Sequence, residues 1–106
     1  MADEAAFKDA IAGPGAVVVD WYAPWCGKCR QIAPTVKKLQ LEQPNIRFVK
    51  VDTDAMPELA KKHGAAALPT FTFYKAGKEA LPLITGYKKG PLIAAVEKLA
   101  STVSYD

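Results

Sequence analysis

Long apolar segments are absent from this chain of 106 residues. No run approaches the ~20 consecutive apolar residues that a membrane-spanning helix needs. Residues 1–15 also lack the basic start and the apolar core of a secretory signal. We therefore expect no membrane association and synthesis without a secretory signal, and we predict a cytoplasmic location.

A concentrated charge of one sign is also missing. Fourteen Lys and Arg residues oppose eleven Asp and Glu residues, which gives a formal net charge of +3. The basic residues are scattered, with adjacent pairs only at Lys37-Lys38, Lys61-Lys62 and Lys88-Lys89. Because a nucleic-acid surface needs a denser basic patch, we interpret these lysines as solvated helix faces and expect no nucleic-acid partner.

Cysteine and histidine are scarce. The only cysteines are Cys26 and Cys29, and the only histidine is His63. A closed zinc site takes four ligands, so we expect no metal site within one chain. A disulfide around two residues encloses too short a loop to stabilise the fold much. The cysteine pair is therefore interpreted as chemical rather than structural.

Length, composition and hydrophobic periodicity predict one α/β domain over residues 1–106, because a half-hydrophobic chain of this size can bury a core without staples. The valines at 17–19 are typical of a central strand that is covered on both faces. A long helix between the first two strands makes them parallel, whereas the turn at Ala76-Gly77 predicts an antiparallel hairpin with Pro82 on an edge strand. The predicted helices are 3–12, 27–43, 58–63 and 88–101, and the predicted strands are 16–21, 46–51, 70–74 and 81–85.

The two cysteines are predicted to lie in the first turn of the second helix. Residues three apart share a helix face there, so Cys26 and Cys29 can reach the Cα separation of roughly 5 to 6 Å that a disulfide requires. Free backbone N–H groups and the helix dipole favour a thiolate on Cys26, which predicts this residue as the nucleophile. Cys29 would then resolve the mixed disulfide, in an exchange cycle that needs no cofactor.

Several segments of the chain match one known family: Val17-Val18-Val19-Asp20, Trp25-Cys26-Gly27-Lys28-Cys29, Pro34, Leu68-Pro69-Thr70-Phe71 and Gly86. Through them, the chain resembles the thioredoxin family over nearly its whole length. The resemblance implies a central mixed sheet of four to five strands flanked by four helices. Met1-Ala2 leaves almost no room for the family's usual first strand, so we expect that strand to be short or missing.

The resemblance also implies roles for residues around the dithiol. Asp20 becomes an interior carboxylate that helps Cys29 lose its proton, with Lys50 as its neighbour. Burial would raise the pKa of such a carboxyl and allow it to accept a proton near neutral pH. On the residues alone, Asp20 is only the polar end of a strand.

The implied substrate surface surrounds an exposed Cys26. In this fold the proline that matches Pro69 is cis and the backbone before it pairs with an extended substrate, although the residues alone favour a trans bond. His63 is interpreted as a helix-end residue rather than a catalyst, because cations are favourable at helix C-termini. The predicted substrate-binding residues are Trp25, Gly27, Lys28, Ala67, Leu68, Pro69 and Gly86, with Tyr22 beside them.

Between the cysteines most thioredoxins have Gly-Pro, whereas this chain has Gly27-Lys28. A nearby exposed lysine should make the couple more oxidising by only ~6–21 mV, which is small beside the gap between thioredoxin at about −270 mV and protein disulfide isomerase at about −180 mV. The segment 22–27 also resembles protein disulfide isomerase domains, so an oxidant or isomerase is the main alternative. The aspartate at position 20, the missing secretory signal and the missing C-terminal retention sequence argue against it.

The expected function is the reduction of protein disulfides by a monomer. The resemblance implies protein disulfide substrates and re-reduction by an NADPH-dependent or, in some lineages, a ferredoxin-dependent thioredoxin reductase. Two other classes remain open at this point. One is a non-catalytic adaptor whose dithiol switches partner binding, and the other is an iron–sulfur cluster shared between two chains.

Overall fold

The computed structural model describes residues 3–102, in which helices and strands alternate until a final hairpin and helix. The helices are α1 (Glu4–Ile11), α2 (Gly27–Glu42), α3 (Pro57–Lys62) and α4 (Lys89–Ala100). The strands are β1 (Ala16–Tyr22), β2 (Ile46–Asp52), β3 (Thr70–Lys75) and β4 (Lys78–Thr85). The predicted order of elements is confirmed. No helix within residues 3–102 has the length and apolar character needed to cross a membrane.

The four strands form one sheet in the order β2-β1-β3-β4. Strand β1 pairs in parallel with β2 and antiparallel with β3, and β3 and β4 form the antiparallel hairpin. Six of the seven residues of β1 are buried, which confirms the central strand that the valines predicted. Pro82 lies on β4, at the edge of the sheet, as expected.

Helices cover both faces of the sheet, and alternate residues of β1 face opposite helix layers. Val17, Val19 and Trp21 pack with α1 and α3 in one buried cluster. Ala16 and Val18 pack with α2 and α4 in the other. By the same alternation, the side chain of Asp20 lies on the α2 side.

The structure differs from the sequence predictions mainly at element boundaries. Strand β4 begins at Lys78, three residues before the predicted start, because the hairpin register pairs Lys75 directly with Lys78. The helix α1 already begins at Glu4, so the described residues before Phe7 form no strand. The sheet over residues 3–102 therefore has four strands, the lower of the two predicted numbers.

Candidate functional site: the Cys26–Cys29 dithiol

The two cysteines lie just beyond the carboxyl end of β1, where α2 begins. Cys26 is the N-cap of α2, and its Sγ accepts a hydrogen bond of 3.1 Å from the backbone N–H of Cys29. The side chains are joined in a disulfide with a Cα–Cα separation of 5.3 Å. The predicted closure of the pair in the first helical turn is thus confirmed, and the N-cap position directs a backbone donor at the sulfur of Cys26.

The predicted exposure of Cys26 is wrong. This residue is only 5% exposed, whereas Cys29 is half-buried. A hydrogen bond of 3.1 Å from Cys26 N to Ala23 O closes a turn that folds Cys26 against the end of β1. The reason to regard Cys26 as the nucleophile is therefore its place at the helix N-cap, not its accessibility. The exposed group beside the disulfide is Trp25, at 67%.

Asp20 is a buried carboxyl on the α2 face of β1. It is 7% exposed, and within residues 3–102 its Oδ1 has no hydrogen-bond partner. Burial raises the pKa of Asp20 to about 6, and the positive charge of Lys50 opposes that rise. The carboxyl borders a cavity of about 310 Å³ that α2 residues and Lys50 also line. The interior position that the resemblance implied for Asp20 is therefore present.

Lys50 lies directly across from Asp20 in the parallel pairing of β1 with β2. Its side chain is exposed, and its Nζ lies 4.5 Å from the ring centroid of Tyr22. This cation–π contact holds the ammonium group near the end of β1. Lys50 is thus the neighbour of Asp20 that the resemblance implied, and its charge acts on a carboxyl that is much more deeply buried.

The segment before β3 lies at the same end of the sheet as the dithiol, because Thr70 pairs with Trp21 near the end of β1. The Leu68-Pro69 peptide bond is cis, as the resemblance implied and contrary to what the residues alone favour. Gly86 N donates a hydrogen bond of 2.9 Å to Pro69 O. Of the predicted substrate-binding residues here, Ala67 is exposed, Leu68 and Gly86 are half-buried and Pro69 is buried.

The two residues between the cysteines, in the first turn of α2, are open to solvent. Gly27 and Lys28 are both exposed, and a Cβ placed on Gly27 would meet only the guanidinium of Arg30, at 3.9 Å. Arg30 itself donates a hydrogen bond of 2.9 Å to Pro24 O. The two predicted binding residues between the cysteines are therefore available to a partner.

Two residues at this end of the molecule were missed by the sequence analysis. Trp25 Nε1 donates a hydrogen bond of 2.8 Å to Oδ2 of Asp54, which follows β2. Lys28 Nζ lies 5.5 Å from the ring centroid of Tyr87, which is 43% exposed. Asp54 follows β2 and Tyr87 follows β4, and both strands finish at this end of the sheet. That placement was the only signal that could have drawn attention to the two residues.

His63 is the C-cap of α3, as predicted, but it does not act there as a favourable cation. Its ring stacks on Trp21 with centroids 5.4 Å apart and lies 4.7 Å from the ring of Phe7. Burial, followed by the charge of Lys62, lowers the pKa of His63. It is a packing residue on the face opposite Asp20. Among residues 3–102, no three His, Cys, Asp or Glu side chains are grouped so as to hold a metal ion.

Comparisons with known proteins agree on one family. The thioredoxin family model matches residues 1–98. The chain is 44% identical to thioredoxin-2 of Pyricularia oryzae over 73 residues, which are 69% of this chain and 43% of that protein. It is 35% identical to the thioredoxin of Chlamydia trachomatis over 92 residues, 87% of this chain and 89% of that one. The crystal structure of oxidised mitochondrial thioredoxin 3 from Saccharomyces cerevisiae superposes with a TM-score of 0.87, at 33% identity and 92% coverage of both chains.

Proposed function

Because this chain belongs to the thioredoxin family and is a thiol–disulfide oxidoreductase, we propose that it works chiefly as a reductant of protein disulfides. The observation that carries the proposal is the Cys26–Cys29 disulfide at the start of α2, with Cys29 N donating to the Sγ of Cys26. The bridge encloses only two residues, so its making and breaking change the stability of the fold little.

In the reduced protein, Cys26 is the attacking thiolate. Its sulfur lies at the N-cap of α2, where the backbone donor of Cys29 and the positive end of the helix dipole stabilise negative charge. The thiolate attacks one sulfur of the substrate disulfide, and the other substrate sulfur leaves as a thiolate. One sulfur–sulfur bond breaks and one forms, so the protein and the substrate are then joined by a mixed disulfide.

Cys29 completes the cycle by attacking the Sγ of Cys26. The second substrate sulfur leaves as a thiolate that takes a proton from solvent, and the protein ends with the Cys26–Cys29 bridge, having given two electrons to the substrate. Asp20 is the base that we assign to the proton of Cys29, directly or through water, with Lys50 modulating its charge. This role is supported by the burial of Asp20, by its unbonded Oδ1 within the described residues, and by its pKa of about 6, which leaves the carboxylate available at neutral pH.

In this proposal, the substrate docks on the segment Ala67–Pro69 and on the start of α2 at Gly27 and Lys28. Trp25 and Gly86 complete the docking surface. Thioredoxins act on protein disulfides, and an extended substrate segment pairs with exposed backbone as an added strand would. The hydrogen bond from Gly86 N to Pro69 O fixes two parts of this surface relative to each other. Trp25, at 67% exposure, supplies apolar area beside the disulfide.

We further propose that the protein acts as a monomer in the cytoplasm and is returned to the dithiol by a thioredoxin reductase. One feature of the sequence supports the compartment. Both cysteines belong to the redox pair, so the chain has no separate structural disulfide of the kind that small secreted domains use, and a reducing compartment keeps such a pair in its active form. Immunolocalisation combined with thiol alkylation in intact cells tests this, since a mainly oxidised pair in a secretory compartment would contradict it.

The reduction potential of the Cys26–Cys29 couple tests the direction of electron flow. It is measured by titration against glutathione with mass-spectrometric counting of alkylated thiols. We expect a value near the thioredoxin end of the scale, about −270 mV. A value near −180 mV would instead assign the protein to oxidase or isomerase work. The charge of Lys28 stabilises the thiolate and so raises the reduction potential, in the direction of that alternative. Lys28→Gln is the matched variant, and we expect it to lower the potential by only ~6–21 mV.

A further inference from the structure

The positive charges around the dithiol are unevenly placed. Four cations follow the helix starts at this end of the molecule, and we name them the basic rim. They are Lys28, Arg30, Lys88 and Lys89, and all four are exposed. Lys28 and Arg30 lie in the first turns of α2, whereas Lys88 is the N-cap of α4 and Lys89 its first residue. In the sequence these residues are two separate pairs, and only the fold joins them.

Contacts tie both halves of the basic rim to the disulfide. Lys28 lies between the cysteines, and its Nζ is 5.5 Å from the ring centroid of Tyr87. Tyr87 directly precedes Lys88. Gly86 N donates a hydrogen bond to Pro69 O, so the chain just before α4 is adjacent to the proposed substrate segment. Arg30 reaches back to Pro24 on the other side of the loop. A partner that contacts the disulfide therefore comes near Lys28 and the start of α4.

The placement of these cations is unfavourable for the helices that carry them. Acidic side chains stabilise a helix N-terminus and cations destabilise it. The helices α1 and α3 follow this rule, with Glu4 and Glu58 in their first turns. Helices α2 and α4, which lie wholly within residues 3–102, have no acidic residue in their first turns. Fold stability does not explain the basic rim, since it works against the helices.

The opposite side of the site carries two carboxylates and one cation, Lys50, so its net charge is negative. Asp52 ends β2, and Asp54 follows it and accepts the hydrogen bond from Trp25. This acidic side leads into α3, which packs on one face of the sheet, whereas the basic rim belongs to α2 and α4 on the other face. The disulfide thus lies between a cationic and an anionic side, and a partner with complementary charges is oriented as it approaches.

We propose that the basic rim is a specificity surface for protein disulfides flanked by acidic residues. Carboxylates beside the substrate cysteines face Lys28, Arg30, Lys88 and Lys89, and they speed the formation of the mixed disulfide. The selection rests on the proposed reductase function and acts before its chemistry. Electrons flow as in that cycle: two pass from the reduced Cys26–Cys29 pair to the substrate disulfide, the proton of Cys29 goes to its base, and the two substrate thiolates take protons from solvent.

Two synthetic peptides provide the test. Each carries one intramolecular disulfide, and they differ only in having three Glu or three Lys residues beside the cysteines. The second-order rate constant for reduction by the reduced protein is followed by thiol alkylation and mass spectrometry. Each rate is divided by the rate of the same peptide with dithiothreitol, a neutral dithiol, because flanking charges alter the intrinsic reactivity of a disulfide.

We expect the Glu peptide to be reduced about fivefold faster than the Lys peptide at low salt, after this correction, and the ratio to fall toward one at high salt. The variant Lys88→Glu with Lys89→Glu should abolish the preference, because the rim then carries two cations and two anions, and it should fold well because it places acidic residues at the start of α4. Lys75→Glu with Lys78→Glu is the matched control. It changes the net charge equally but lies at the far end of the sheet, where β3 meets β4.

The outcomes separate the two levels of the proposal. If the protein reduces neither peptide, the reductase function itself fails. Equal corrected rates for both peptides, with no effect of salt, would overturn the basic-rim inference and leave the reductase function standing. Loss of the preference in the Lys75/Lys78 control as well would assign the effect to overall charge, which also overturns the inference.

Discussion

Trp25 Nε1 and Asp54 Oδ2 are joined by a hydrogen bond of 2.8 Å. Through this bond, the loop after β2 holds the exposed indole that precedes Cys26. Asp54 is itself fixed by a hydrogen bond of 2.9 Å from its backbone N–H to Oδ1 of Asp52. The orientation of the main apolar group beside the disulfide therefore depends on a loop that contributes no cysteine.

Replacing Asp54 tests this dependence. Asp54→Leu removes the acceptor and leaves Trp25 without its partner, so we expect kcat/KM for a protein disulfide to fall about two- to fivefold, as loss of one exposed hydrogen bond would predict. Asp54→Asn keeps an oxygen that can accept from the indole and is the matched control, with activity near that of the unaltered protein. Equal activity of both variants would contradict a positioning role for Asp54.

Cys29→Ser should trap the first half of the exchange. Its hydroxyl cannot displace the substrate sulfur from Cys26, so turnover should fall more than about a hundredfold while a mixed disulfide accumulates. Non-reducing electrophoresis and intact-mass measurement detect this adduct. Cys26→Ser is the control and should give neither turnover nor adduct. Undiminished turnover by Cys29→Ser would point to a contaminating activity or to a non-catalytic role of the dithiol.

The buried carboxyl of Asp20 should make stability depend on pH. Its pKa rises from the ordinary value of 3.8 to about 6 in the folded protein because of burial. The folded state therefore holds this proton more tightly than the unfolded state, and the ionised carboxyl destabilises the fold fully above pH 6 and not at all below about pH 4. The free energy of unfolding is therefore lower above pH 6 by about 3 kcal/mol than it would be with an unshifted pKa at this position.

Asp20→Asn removes this penalty. We expect the substitution to raise the free energy of unfolding, relative to the unaltered protein, by up to about 3 kcal/mol more at pH 8 than at pH 4. Urea denaturation at both pH values measures this difference. Asp9→Asn, an exposed change on α1, is the control and should show no comparable difference. A gain from Asp20→Asn that is the same at both pH values would contradict the assigned pKa shift. The same variant should also slow turnover if Asp20 accepts the proton of Cys29.

The hydrogen bond between Trp21 and Thr72 should be important for stability. Trp21 Nε1 donates to Thr72 Oγ1 over 2.8 Å, and both residues are buried. Thr72→Val keeps the shape but leaves the indole N–H without an acceptor, so unfolding should become easier by about 1–3 kcal/mol. Thr35→Val, on a half-buried position of α2, is the control, and chemical denaturation of both variants makes the comparison.

Sequence patterns predicted the fold well because each element carries a strong local signal. The valines of β1 require cover on both faces, and Pro82 excludes a central position for β4. The early start of β4 was missed because the residues from Lys78 to Ala80 are exposed and lack strand-like alternation. Backbone pairing across the turn extends the strand there, and side-chain pattern does not record it.

The site was predicted less completely, since its contacts form between distant parts of the chain. The spacing of Cys26 and Cys29 predicts their bridge, but the burial of Cys26 depends on a turn closed by a backbone hydrogen bond. The environment of His63 likewise depends on rings from α1 and β1. Local charge rules placed a cation at that helix end, whereas burial, followed by the charge of Lys62, lowers the pKa of His63 and favours the neutral form.

The order of the strands also bears on how the protein behaves when it is concentrated. Strands β2 and β4 are the two open edges of the sheet, where unpaired backbone groups invite edge-to-edge growth with other molecules. On β2, the exposed Arg47 and Lys50 would meet like charges if two copies paired along this edge. On β4, Pro82 lacks the N–H that a further strand would need. Each edge of the sheet is thus protected against aggregation in its own way, β2 by charge repulsion and β4 by a missing hydrogen-bond donor.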